Sequence, residues 1–403
     1  MEHTGFGGDL RAERDAVIEA ERKREEVAAQ EQRRREEIER MMAEAEKRVR
    51  EAALRDVQAK QEVLREQVPQ RMQNPPSPQF VEVPVFYGTN RAKAADGVWY
   101  GVERGDLRLG RCLVSVPTDR RIGSIPRPSI WTLYREKPEQ HYILTKVEES
   151  GKEAFSRGLR EYVQNFARRQ VLVFVHGFNV TFADAVFRTA QIAADLNFHG
   201  APVVFSWPSK GTLHPLGYTH DETQARWALP DLRAFLELIA EQSGADAIHL
   251  LAHSMGNRAL TEALGQIAAS AAKRSRAPFN ELMLTAPDID ADTFVRDIAP
   301  AMLPASARVT LYASSNDKAL AFSKTVHGYP RAGESGDGLV LINGIDTIDV
   351  SAVDTNFVGH FYYGDNRSVL SDLFNLIQGQ EAGKRFGLRP RTKNERPYFV
   401  FQP

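Results

Sequence analysis

The chain has 403 residues, 42% of them apolar and 26% charged, with a net charge of −1 at pH 7. The length allows more than one structural unit, and the composition is that of an ordinary globular protein. The near-zero charge gives no basic field for nucleic acid or an anionic membrane, and the single cysteine, Cys112, excludes an intrachain disulfide and a cysteine-rich zinc site.

The N-terminal MEHTGFGGDLRAERDAV has neither the apolar core nor the small-residue cleavage site of a signal peptide. No stretch approaches the roughly 18 consecutive apolar residues of a membrane span. The expected compartment is the cytoplasm, with no transmembrane segment.

Residues 9–68 contain no Gly, Pro or aromatic residue, and Asp9 and Pro69 bracket them as start and stop signals. From Arg11 to Arg50, 24 of 40 residues are charged, evenly split by sign. Pairs such as Glu19–Lys23, Glu31–Arg35 and Glu44–Arg48 sit at i, i+4 in the favourable order. The expectation for residues 1–68 is one long charged α-helix. Its apolar stripe is thin and lacks a sustained heptad, so a solvated rod is expected, with self-association, a coiled coil or docking of a protein partner through 9–68 as the alternatives. Residues 69–79, PQRMQNPPSPQ, carry four prolines and read as an extended linker.

From residue 80 to 403 strands and helices alternate. Strands are expected at VEVPVFYGT, RCLVSVP, HYILTKV, VLVFVHG, PVVFSW, AIHLLAH, ELMLTAP, RVTLYAS and LVLINGID. Beyond Val171 most are continuous apolar runs, the pattern of parallel strands covered on both faces. The earlier ones, between Val81 and Val147, are expected to form an antiparallel edge. Helical spacing covers Ala183–Leu196, Thr223–Ser243, Asn257–Arg274 and Ser368–Ile377. The fold class is α/β, with a mostly parallel sheet flanked by helices.

The chemistry concentrates in Ala252-His253-Ser254-Met255-Gly256, between the apolar strand IHLL and the helical pattern NRALTEAL. A serine at a sharp strand-to-helix turn needs small neighbours two residues away on each side, and Ala252 and Gly256 supply them. The alternative is a serine that only caps the helix.

A nucleophilic serine needs a base and an orienting carboxylate, in chain order Ser, acid, His. Only His327 and His360 follow Ser254. His360, beyond the last expected strand, is favoured over His327. Asp288 and Asp317 both end strands, where ligands face open α/β sheets. Asp317, two strands beyond the nucleophile, is favoured as the acid; Asp288 is the alternative acid, its non-catalytic reading being a cap of the next helix. The oxyanion donors are expected to be the backbone N–H groups of Met255 and of Phe178, in the turn HGFN. His176 and Asn179 are expected to fix that turn. The spacing His249…His253 falls on a strand rather than a helix, so it is not read as a metal pair. No metal or cofactor is expected.

The stretches VPVFYGTNR, VFVHGFNVTF, FSWPSKG, LLAHSMGNRALTEAL, APDIDADTF, TLYASSNDKAL, HGYPRAG and GIDTIDVS resemble the α/β-hydrolase superfamily, and within it the bacterial family termed domain of unknown function 900. The resemblance spans about Phe80 to Phe374. It implies an α/β-hydrolase fold and a serine triad of Ser254, Asp317 and His360, and it names no substrate. The expectation is a cofactor-independent esterase acting on a small-molecule ester. The alternatives are a lipase, thioesterase or amidase, and a non-catalytic scaffold recruited through its N-terminal helix. The loop Pro208 to Thr223 is expected to contribute to a lid.

Overall fold

The computed structural model describes residues 79–94, 99–128, 135–211, 215–270, 277–353, 364 and 366–401. The expected N-terminal helix and proline-rich linker lie outside these residues, apart from Gln79, and so does His360. The described chain is built on one 11-stranded sheet of order β10-β11-β9-β8-β7-β6-β4-β5-β1-β2-β3.

Six strands form its parallel centre: β4 (Gln170–Val175), β5 (Ala201–Ser206), β6 (Ala247–His253), β7 (Phe279–Thr285), β8 (Ser306–Ala313) and β9 (Ile345–Asp349). β1 (Phe80–Arg91) extends this parallel block beside β5. β2 (Arg104–Pro117) and β3 (Ile143–Ser150) then pair antiparallel, as expected for the early strands. At the far edge β11 (Arg396–Phe401) runs parallel to β9 and pairs antiparallel with β10 (Leu388–Lys393). Neither strand of this terminal hairpin is among those expected: β10, LRPRTK, has no apolar run, and that of β11 is confined to Tyr398–Phe401.

The uninterrupted apolar strands follow from cover on both faces. Val171, Val173 and Val175 of β4 enter the core under helices α1 (Lys152–Val163), α4 (Leu229–Gln242) and α5 (Gly256–Ser270). Leu172 and Phe174, pointing the other way, pack under α2 (Phe182–Asp195) and α7 (Arg367–Ile377). Thr181 caps α2 through a reciprocal capping box with Asp184.

Two expectations are corrected. The helix expected over Thr223–Ser243 is two helices, α3 (Pro215–Trp227) and α4. Pro230, in the first turn of α4, has no N–H to continue a helix through Ala228. Helix α3 also makes residues 215–223 of the expected lid loop helical. The strand expected over Leu339–Asp346 begins only at Ile345. Leu339 and Val340 are buried without joining the ladder, and Gly344 turns the chain at φ 89° before pairing starts.

Phe235 of α4 is fully buried, with ring centroids 6.0 Å from Phe155 and 5.7 Å from Phe205. Phe235→Ala should cost about 3–5 kcal/mol of stability. Urea unfolding measures it, and a loss below about 1 kcal/mol would contradict this packing.

Candidate active site

Ser254 follows β6 and precedes α5, at φ 51°. This left-handed backbone is costly for a residue with a Cβ and persists only where its surroundings impose it. The surroundings here are backbone hydrogen bonds. Ser254 N donates to Thr285 O at 3.0 Å, and Ser254 O accepts from Asn257 N at 3.1 Å and Asp288 N at 3.3 Å. The Asn257 amide adds bonds of 3.0 Å to Ser254 O and Thr285 O.

Close approach explains the small residues. A Cβ on Gly256 would stand 2.3 Å from His176 O, and one on Gly177 would stand 2.9 Å from Ser254 Cβ. The turn that carries Phe178 therefore presses on the serine. Ser254 itself is 4% exposed.

That turn is held from behind. His176 Nδ1 bonds Gly177 O at 2.9 Å, its Nε2 meets Ser206 Oγ at 3.3 Å, and its ring stacks on Trp207 at 4.9 Å. Burial, reinforced by the Arg91 charge, brings the imidazole down to about 3, so it is neutral. Asn179, at φ 59°, donates its backbone N–H to Asp221 Oδ2 at 3.3 Å. Asp221 is buried and also accepts from Ser209 Oγ at 2.5 Å and Lys210 N at 2.9 Å. His176 and Asn179 thus fix the turn, the latter through its backbone. Asp221 and Arg91 are the supports that sequence reasoning missed. The available signal was the arginine that ends the apolar stretch VPVFYGTNR.

Ser254, Asp288 and Asp317 lie beyond the carboxyl ends of adjacent strands β6, β7 and β8. Both carboxylates are buried, but their partners differ. Asp288 Oδ1 accepts from Arg331 Nε at 2.9 Å and Ser323 Oγ at 2.5 Å. Its Oδ2 accepts from Arg258 Nη2 at 3.2 Å and from the Tyr218 hydroxyl. Burial alone would raise this carboxyl, but the two guanidinium groups hold it well below the usual range. The cap is supplied not by Asp288 but by Asp290, two residues on, which receives Thr293 N at 2.8 Å. Both oxygens of Asp288 are thus occupied by side-chain donors.

Asp317 caps α6 (Lys318–His327), its Oδ1 accepting from Ala319 N and Leu320 N, each at 3.0 Å. Its loop is tied to the segment after β9: Ser315 N donates to Ser351 Oγ and Asn316 Nδ2 to Ser351 O, both at 2.8 Å. Residue 354, three positions further, begins the stretch that contains His360 and lies outside the described residues.

His327, the alternative base, ends α6. Its Nδ1 bonds Ser323 O at 2.9 Å and its Nε2 lies 3.5 Å from Glu222 Oε2. The His327 hydrogen bond, against burial and with the help of Arg258, brings Glu222 down to about 2. Arg258 of α5 bonds the same Glu222 carboxylate. Helix α3 is thereby joined to α5 and α6, with Tyr218 wedged between Phe178 at 5.5 Å and Phe322 at 6.0 Å. Among the described residues, no group of three or more His, Cys, Asp or Glu side chains is arranged to hold a metal. No described helix is long and apolar enough to cross a membrane.

The family model described as "Alpha/beta hydrolase of unknown function (DUF900)" matches residues 151–378. Similar solved structures include phospholipase PlaB from Legionella pneumophila in complex with thio-NAD, at 12% identity and a TM-score of 0.27, covering 58% of this chain and 67% of that one. An arylesterase follows at 11% identity and 0.27, covering 79% and 88%. An esterase of Pyrobaculum calidifontis matches at 12% and 0.22, covering 66% and 68%. At these TM-scores the three likenesses carry no argument. No curated protein sequence gives a match.

Asp288→Asn should destabilise the fold by about 3–5 kcal/mol, because it leaves the buried Arg331 guanidinium without its anion and takes one of two carboxylates from the partly buried Arg258. The folded Asp288 carboxyl is depressed, so its contribution is complete above the unfolded value of about 3.9 and is lost as pH falls below it. Thermal melts from pH 7 to 2 should show the gap between Asp288→Asn and the unmutated chain closing only below about pH 4. A gap that stays constant with pH would contradict the ion-pair account.

Proposed function

The chain belongs to a family of alpha/beta hydrolases, and on that premise we propose that it is a serine hydrolase that cleaves a carboxylic ester through an acyl-enzyme. The observation that carries the reading is the left-handed Ser254 at the carboxyl edge of the sheet, with Gly177 against its Cβ and Gly256 after it against the His176 carbonyl. A merely capping serine has no need of φ 51°, nor of a neighbouring turn that tolerates no side chain.

In this reading Ser254 Oγ attacks the ester carbonyl and His360 takes its proton. The carbonyl π pair moves onto oxygen, where the Met255 and Phe178 N–H groups receive it. On collapse the pair returns, the alkoxide leaves, and His360 returns the proton to it. Water, deprotonated by His360, then repeats the sequence on the acyl-enzyme and frees the acid. Asp317 orients His360. Two observations support it over Asp288: the bonds joining its loop to Ser351, and the saturation of Asp288 by Arg258 and Arg331.

Turnover of p-nitrophenyl esters of graded acyl length tests the assignment. Ser254→Ala should abolish measurable turnover while the chain stays folded. Asp317→Asn should lower kcat by about 10⁴ through the wrong imidazole tautomer, with Asp288→Asn affecting stability more than kcat. Near-normal turnover by Ser254→Ala would sink the proposal, and a greater kcat loss from Asp288→Asn than from Asp317→Asn would reverse the choice of acid.

A further inference from the structure

Arg91 ends β1 and is wholly buried. Its Nε donates to Ser206 Oγ at 2.9 Å, its Nη1 to Gly101 O and Ser209 O at 3.0 Å each, and its Nη2 to Val180 O at 2.7 Å. All four acceptors are neutral, and among the described residues no carboxylate oxygen pairs with this guanidinium. A fully buried arginine ordinarily has an anion in contact, because desolvating a lone charge is costly. Burial draws the group down to about 9, with Asp221 and Asp184 opposing at longer range, so it remains charged at neutral pH.

Three of the four contacts converge on one turn, and only Gly101 stands apart. Val180 closes the turn that holds Phe178. Ser209 lies in the loop after β5 and passes its hydroxyl to Asp221, which receives Asn179 N of the same turn. Ser206 Oγ continues to His176 Nε2, and the Arg91 charge helps keep that ring neutral. Each path ends on residues 176–180, whose glycine faces Ser254 Cβ.

We propose that Arg91 is the positioning residue of the oxyanion hole: it pins the 176–180 turn so that the Phe178 N–H meets the developing oxyanion, and it sets a fixed positive charge behind that turn. This rests on the serine-hydrolase reading. Negative charge grows on the carbonyl oxygen as the Ser254 Oγ–C bond forms and fades as the alkoxide leaves. A cation held by neutral dipoles favours that charged state without moving. A contact carboxylate would cancel its field; among the described residues none bonds the guanidinium, and Asp221 opposes it only from beyond Ser209 and Asn179.

The full chain, its Arg91→Met and its Arg91→Lys variants test this. Active sites are counted by fluorophosphonate titration, and kcat and KM are measured per titrated site on p-nitrophenyl acetate. A trifluoromethyl ketone, which adds to the serine as a tetrahedral oxyanion, reports binding of that charge. Arg91→Met should lower kcat about 10²-fold, with KM within about three-fold and ketone affinity falling in step with kcat. Arg91→Lys keeps the charge but loses the planar fork, so its kcat should fall between the two. If Arg91→Met fails to fold, a roughly ten-fold or greater kcat loss in Arg91→Lys at constant KM carries the proposal. A kcat per titrated site within about three-fold of the unmutated value, in whichever variant folds, would overturn it. So would a KM that rises as kcat falls, or an unchanged ketone affinity. Failure of the unmutated chain to titrate would overturn the hydrolase reading and this one with it.

Discussion

The structure depends on one backbone turn. At Ser254 the chain must stop being strand and become helix within two residues, and only a left-handed φ of 51° accomplishes that. Such a conformation costs on the order of 1–3 kcal/mol for a residue with a side chain. The cost is met by hydrogen bonds from strand β7 and from Asn257, which the parallel register of β6 and β7 brings into reach. The same turn draws the end of β4 against it so closely that Gly177 and Gly256 admit no Cβ. Sheet order, small residues and serine conformation are therefore one constraint seen from three sides.

Electrostatics divides the work among the acidic residues at the carboxyl edge. Asp288 sits between Arg258 and Arg331 with Tyr218 and Ser323 completing its shell. It stiffens the floor under the serine, since its own N–H bonds Ser254 O. Asp221 collects the donors of two loops and keeps the Phe178 turn in place. Asp317 uses Oδ1 to start α6 and stands in a loop bonded to the segment after β9. The proposed triad assigns the imidazole to Asp317, and the other two carboxylates serve the geometry around the nucleophile. Arg91 and His176 complete this support, one charged and one neutral, both without exposure.

Much of this was legible in the sequence because its cause is local. Apolar runs flanked by helical spacing located β4 through β8, and the small residues around Ser254 marked the turn. Chain order and position at a strand end together selected Asp317 and Asp288 as the acidic candidates. Other features have non-local causes. The terminal hairpin LRPRTK and RPYFVF is a sheet edge only because β9 offers it a partner. Leu339 and Val340 look like a strand because burial, which the pattern reports, does not require a ladder. Asp288 looked like a cap because its arginines, Arg258 and Arg331, are 30 and 43 residues away in sequence. Arg91 was invisible as a support for the same reason, its acceptors lying up to 118 positions away.

The central claim is that Ser254 becomes acylated during turnover. The most direct measurement is an acid quench of the enzyme while it hydrolyses p-nitrophenyl acetate, followed by mass mapping of its peptides. The account predicts an acetyl group on Ser254, and none anywhere on the Ser254→Ala chain under the same conditions. Continued ester hydrolysis with Ser254 unmodified, or with the acetyl group on another residue, would contradict it.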